Sequence, residues 1–154
     1  MNPQIKSALQ IVPKYIVFLV SLAGTLGSLY FSELYITENG TQGLPPCSLC
    51  WYQRIFLYPM VFIMLVGVFR KDTKVYLYTL PLAIIGTIIG AYHYLLQTTD
   101  IFGKEFVGCS GGVNCTDIDF QLFGFITIPL MSLAAFVVVL ICNIIMHKFG
   151  VKYE

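Results

Sequence analysis

Two cysteines two residues apart, Cys47-Ser48-Leu49-Cys50, follow the proline pair Pro45-Pro46 and open a long apolar run. That spacing brings two sulfurs close enough to bridge or to share a metal. At the start of a helix they would meet unpaired backbone N–H groups and the positive end of the helix dipole, which favour a thiolate. A thiolate is the species that attacks a disulfide. Arg54 follows Cys50 by four residues, so on a helix the two share a face. A second close pair, Cys109 and Cys115, lies far along the chain, and Cys142 stands alone. The chemistry indicated is thiol–disulfide exchange, and its direction depends on where the chain places these sulfurs.

The elements that must place them are membrane helices. The chain has 154 residues, of which 57% are hydrophobic and only 11% charged. A soluble domain is about one quarter charged. The net charge of +1 gives no sign of a nucleic-acid partner. Met1 to Lys14 reads as a short polar tail. Four spans then follow over about residues 15–35, 51–69, 75–96 and 123–146, forming one membrane domain over 1–154. The first is longer than the apolar core of a signal peptide, about 7–15 residues, and reads as a retained helix. Gly86 and Gly90 give the third span a small-xxx-small packing face. Pro129 either kinks the fourth span or marks its start. The fold expected is an all-α four-helix membrane bundle.

Charge sets the orientation. Lys6, Lys14, Arg70, Lys71, Lys74, Lys148 and Lys152 fall on the side of the termini, and only Lys104 falls in the two opposite loops. Short-loop Lys and Arg mark the cytoplasmic side. Both termini are therefore expected in the cytoplasm, and both cysteine-bearing loops outside it, in a multi-pass cell-membrane protein. Outside the reducing cytosol the pairs should rest as disulfides, Cys47–Cys50 and Cys109–Cys115. Cys142 lies within the fourth span as a small apolar packer.

Two such bridges could merely staple loops in a non-catalytic tetraspan subunit. Against that, a ring closed over two intervening residues removes little chain entropy and stabilises weakly. It is also strained and easily reduced. Four thiolates could bind zinc, but outward thiols tend to oxidise and Cys109 to Cys115 is not a usual zinc spacing, so no metal is expected. Arg54, costly within a bilayer, is expected either to snorkel or to face a ligand or the Cys50 thiolate. His93 lies near the outer end of the third span at a similar depth, and the two could bracket a polar headgroup on a lipid-soluble molecule.

Cys47-Ser48-Leu49-Cys50 with Arg54, His93-Tyr94-Leu95-Leu96-Gln97, the Cys109/Cys115 pair and Phe123-Gly124 before Pro129 resemble, in order and sidedness, the DsbB family of thiol oxidoreductases. The short chain looks most like its smaller BdbC-type Gram-positive members. Vitamin K epoxide reductases share the bundle but order their cysteines differently. The resemblance implies a membrane enzyme that reoxidises an extracytoplasmic thioredoxin-fold thiol oxidase and passes the electrons to a quinone, menaquinone or ubiquinone. It implies that Cys109 meets the partner's thiol, that Cys115 then exchanges with Cys47, and that Cys50 lies nearest the quinone. Arg54 would assist quinone binding or the thiolate, with His93 as a further quinone-site residue. The second loop is much shorter than in the Gram-negative proteins, which bears on how an interloop Cys47–Cys115 bond would form.

Overall fold

The computed structural model describes residues 3–36, 40, 43–44, 46–99, 121–122 and 126–150, with side chains from residue 11 onward apart from 121, 122 and 150. Helix α1 runs over Pro3–Leu29 and widens into a single π turn at Tyr30–Leu34. Helix α2 is Ser48–Phe69 and α3 is Tyr76–Thr98. A two-residue antiparallel ladder pairs β1, Gln121–Leu122, with β2, Ile126–Thr127. Helix α4 follows at once over Ile128–Gly150. Four stretches are long and apolar enough to cross a membrane: Ile11–Leu34, Ser48–Phe69, Tyr76–Thr98 and Ile128–Phe149.

Two boundaries differ from the sequence expectation. The stretch read as a polar tail is helical from Pro3, because Ile5, Ala8, Leu9, Ile11 and Val12 continue a helical apolar pattern and nothing before Tyr15 stops it. Its Lys14 ammonium donates to the Asp72 carbonyl in the turn between α2 and α3, which ties that end of α1 down. The fourth helix begins at Ile128, inside the span expected over 123–146, so of the two roles open to Pro129 it marks the start, in the first turn, where a missing N–H costs nothing. Pro13, Pro59 and Pro81 lie inside α1, α2 and α3, which run through them. Bundled apolar helices tolerate such prolines because neighbouring groups re-satisfy the freed carbonyls.

Each helix packs against two others, α1 on α2 and α4, and α3 on α2 and α4. This is an up-and-down bundle closed in sequence order. Val17, Leu57, Met60, Met64, Ala83, Phe136 and Val139 fill its middle. Many large apolar side chains, including Leu19, Phe62, Phe69 and Ile88, face outward, as a lipid-facing surface requires. Polar groups turn inward: Thr79 Oγ1 donates to Asn143 Oδ1 at 2.6 Å, and Asn143 Nδ2 donates to the Val139 carbonyl at 2.9 Å. Gly86 admits the Phe136 ring so closely that any Cβ there would collide with it. Gly86→Val is therefore expected to cost about 1–3 kcal/mol of stability, as overpacked core sites do. The measurement is the thermal midpoint in detergent. Gly90→Ala, whose Cβ would meet Leu133 at 3.4 Å, should change it little.

A folded-back segment delivers the chain from α1 to the cysteines. Gly43 N–H donates to the Tyr35 carbonyl at 2.7 Å and Leu44 N–H to the Phe31 carbonyl at 2.9 Å. Gly43 has φ +75° and lies on the Ser32 carbonyl, so both its backbone angle and its neighbour exclude a side chain. The segment lands Cys47 at the mouth of the bundle.

Candidate active site

Cys47 is the N-cap of α2, with extended backbone at φ −67° and ψ 167°, and Cys50 closes the first turn. Pro46, just outside the helix, suits the extended approach. Leu49 packs with Cys47 against Leu96 near the end of α3, and Ile89 and Tyr92 complete this small cluster. Cys47 is buried and Cys50 half-buried.

The sulfurs of Cys47 and Cys50 lie 3.3 Å apart and share a thiol hydrogen bond. No bond joins the two sulfurs in this structure, and the geometry described is that of the dithiol. Bonding distance is about 2.05 Å, so closure needs a shift of little more than an ångström. One helical turn thus supplies both redox forms with small motion.

His93 reaches this pair from α3. Its Nε2 lies 3.7 Å from Cys47 Sγ, and its Nδ1 lies 3.5 Å from Gln53 Nε2. Ser132 of α4 donates from Oγ to Gln53 Oε1 at 2.7 Å. That bond turns the Gln53 amide nitrogen toward His93, so Nδ1 accepts and the imidazole proton stands on Nε2, facing the sulfur. Gln53, His93 and Ser132 link α2, α3 and α4 across the bundle. Gln53 and His93 are 5% and 1% exposed, so this is a buried relay that water does not complete.

Cys47, one residue ahead of the α2 span, feels these groups directly. Its thiol is pulled down to about 4, first by the hydrogen bond from Cys50 and then by that from His93, against the opposing effect of burial. Cys50 and His93 therefore both support a thiolate at Cys47.

Arg54 leaves α2 on the α1 side. Its Nη2 donates to the Ser28 carbonyl at 3.3 Å, just before α1 widens into its π turn. Ser32 Oγ donates to the same carbonyl at 3.1 Å. The guanidinium also lies 5.4 Å from the Trp51 ring centroid, within cation–π range. Arg54 and His93 thus face different neighbours. Cys109 and Cys115, and with them Phe123 and Gly124, lie outside the described residues. Cys142 is buried in the middle of the bundle, among its apolar core residues.

Sequence reasoning missed Gln53 and Ser132. One signal was available: Gln53 is an uncharged polar residue inside an apolar span, three positions after Cys50. Ser132 carried none, since small hydroxyls are common in membrane helices.

The family model described as "Disulfide bond formation protein DsbB" matches residues 14–146. The chain belongs to the DsbB family. Among its DsbB-family relatives, "Disulfide bond formation protein C" of Bacillus subtilis (strain 168) is 44% identical over 132 residues, covering 86% of this chain and 90% of the relative. "Probable disulfide formation protein C 1" of Bacillus anthracis is 43% identical over 128 residues, covering 83% and 86%. "SPbeta prophage-derived disulfide bond formation protein B" of Bacillus subtilis (strain 168) is 42% identical over 125 residues, covering 80% and 78%. No solved structure matches the chain. As a DsbB-family protein it is a multi-pass membrane disulfide oxidoreductase that reoxidises a thiol oxidase. The non-catalytic tetraspan reading is not favoured.

Proposed function

We propose that Cys47 and Cys50 are the pair that passes electrons to a membrane quinone, and that Cys109 and Cys115 receive them from an extracytoplasmic thioredoxin-fold oxidase. The dithiol cluster of Cys47, Cys50 and His93 at the N-terminus of α2 carries this reading. The seven-to-one asymmetry of Lys and Arg between the two sides supports an outward-facing cluster.

Exchange between the pairs moves two electrons. A Cys115 thiolate attacks Cys47 of the Cys47–Cys50 disulfide, forming a Cys115–Cys47 bond and releasing Cys50 as thiolate. Cys109 then attacks Cys115, which closes the second-loop disulfide and frees Cys47. The dithiol now holds the electron pair, and Cys47, kept ionised by Cys50 and His93, is the sulfur poised to reclose the bond.

The residues fit a quinone. Arg54 is partly buried, and among the described residues its one hydrogen bond runs from Nη2 to Ser28, so further N–H donors of its fork can meet a carbonyl oxygen. Cys50, half-buried and four residues earlier on the same helix, shares the face of Arg54, so a quinone held by Arg54 would lie beside it. When bound, the quinone supplies the two-electron acceptor. His93, engaged at both ring nitrogens in the dithiol form, serves Cys47 first and borders the quinone site second.

The test follows reoxidation of a reduced thioredoxin-fold partner with added quinone. Arg54→Ala is expected to raise the KM for quinone by roughly tenfold to a hundredfold, the size of a lost charge-assisted hydrogen bond, with a smaller fall in kcat. Arg54→Lys should fall between, since it keeps the charge and loses the fork. An unchanged KM in Arg54→Ala would remove Arg54 from the quinone site.

A further inference from the structure

We infer that the dithiol form of this site is also a zinc-binding site, with Cys47 Sγ, Cys50 Sγ and His93 Nε2 as ligands and a fourth position open. The three ligand atoms lie within 4.8 Å of one another, with Cys47 Sγ 3.3 Å from Cys50 Sγ and 3.7 Å from His93 Nε2. Tetrahedral zinc, with bonds of about 2.3 Å to sulfur and about 2.0 Å to nitrogen, spaces two sulfurs about 3.8 Å apart and a sulfur and a nitrogen about 3.5 Å apart. The sulfurs need spread by about half an ångström, and Cys50 Sγ and the His93 nitrogen, within 4.8 Å of each other, draw in toward about 3.5 Å as the metal enters. Two thiolates and an imidazole are a preferred donor set for this metal. Chain spacing pointed to two sulfurs able to share a metal but not to His93, because the third ligand comes from another helix.

The surroundings already carry the support such a ligand needs. A zinc-bound imidazole uses one nitrogen for the metal and donates from the other. With Nε2 on zinc the imidazole proton moves to Nδ1, beside Gln53. Turning the Gln53 amide over presents its oxygen to that proton and its nitrogen to Ser132 Oγ, which accepts as readily as it donates. The site loads without leaving a buried polar group unpaired. The balance is simple: zinc replaces the thiol protons, one per metal near pH 7 if Cys47 is already ionised, and no electrons move.

Zinc can bind only the reduced pair, since a disulfide offers no thiolate. Bound metal holds both sulfurs as ligands and prevents the Cys47–Cys50 bond from closing. The site would make the enzyme sensitive to thiophilic metal in its reduced state, with reoxidation slowed by the factor one plus the ratio of free zinc to its Kd. This inference needs only the dithiol geometry and stands or falls apart from the quinone route.

The experiment uses full-length protein in detergent, reduced and freed of reductant, titrated with zinc alone. A Cys109→Ser, Cys115→Ser, Cys142→Ser background removes the other thiols. One zinc per chain should bind when the protein is reduced and none when it is oxidised. Zinc should protect Cys47 and Cys50 from maleimide, and a chelator should restore labelling. His93→Ala should weaken binding by about a hundredfold or more, and cobalt in place of zinc should show tetrahedral thiolate bands that this variant loses. If the background variant does not fold, mapping the protected cysteines by mass in the unsubstituted protein answers the same question. Zinc affinity indifferent to His93→Ala, or protection confined to other cysteines, overturns the proposal.

Discussion

Membranes carrying Cys50→Ser are expected to stop reoxidising the reduced partner, by about three orders of magnitude or more, which corresponds to at least about 4 kcal/mol of lost transition-state stabilisation. Serine cannot form the Cys47–Cys50 bond, and its hydroxyl does not leave as thiolate does. The sulfurs stand 3.3 Å apart at one helical turn, so no other described cysteine can take the place of Cys50. The variant should also reveal direction. With Cys50 gone, the Cys47 thiolate can still attack Cys115 of an oxidised Cys109–Cys115 bond, releasing Cys109 as thiolate, and no Cys50 remains to resolve the resulting Cys47–Cys115 bond, so that interloop disulfide should accumulate on a non-reducing gel. Cys142→Ser, deep in the core, should leave turnover near normal. Undiminished turnover in Cys50→Ser would reject the electron route.

His93→Ala should change the pH profile rather than only the rate. Cys47 is held at about 4, so in the dithiol form it is ionised throughout the working range and becomes a thiol only as the pH falls through about 4. An ordinary thiol, near 8.5, loses tenfold in thiolate for each pH unit below that value. Alkylation of Cys47 in the reduced protein is therefore expected to stay nearly flat from pH 8 to about 5. Removing His93 takes away a hydrogen bond to the thiolate, raises its pKa, and should cut the rate at pH 5.5 by about tenfold or more while leaving pH 9 little changed. Gln53→Leu should shift the profile in the same direction by less. The imidazole remains, but nothing then fixes its proton on Nε2, and Ser132 loses its acceptor. Gln53 is on this account a positioning residue. A flat profile in both variants would show that Cys50 alone sets the Cys47 thiolate.

Much of this protein was legible from the order of residues. Apolar runs of spanning length need no partner to declare themselves, because in lipid every backbone group must be satisfied within its own helix. The bundle could be anticipated for that reason. The Cys47–Cys50 pair could be anticipated as well, since a spacing of three along a helix fixes sulfur proximity locally. Gly86 showed as a packing residue by type and is one, under Phe136. The ends of the elements were less legible. Residues 3–14 extend α1 because helix propagation is cheap once a span exists, and α4 waits for Ile128 because the short ladder of Gln121 and Leu122 with Thr127 and Ile126 precedes it.

The residues alone determined the class of chemistry, the helices and the closeness of Cys47 to Cys50, because each depends on neighbours within a turn or a span. Only the tertiary structure decided which sulfur is served by which group. His93 lies 46 positions from Cys47 and Ser132 lies 79 from Gln53. Their meeting depends on the rotation of three helices about their axes, and that rotation is set by packing across the whole bundle. The sequence placed Arg54 and His93 at similar depth and could pair them on one ligand. The fold turns Arg54 to Ser28 of α1 and His93 to Cys47, and that facing could not be read along the chain.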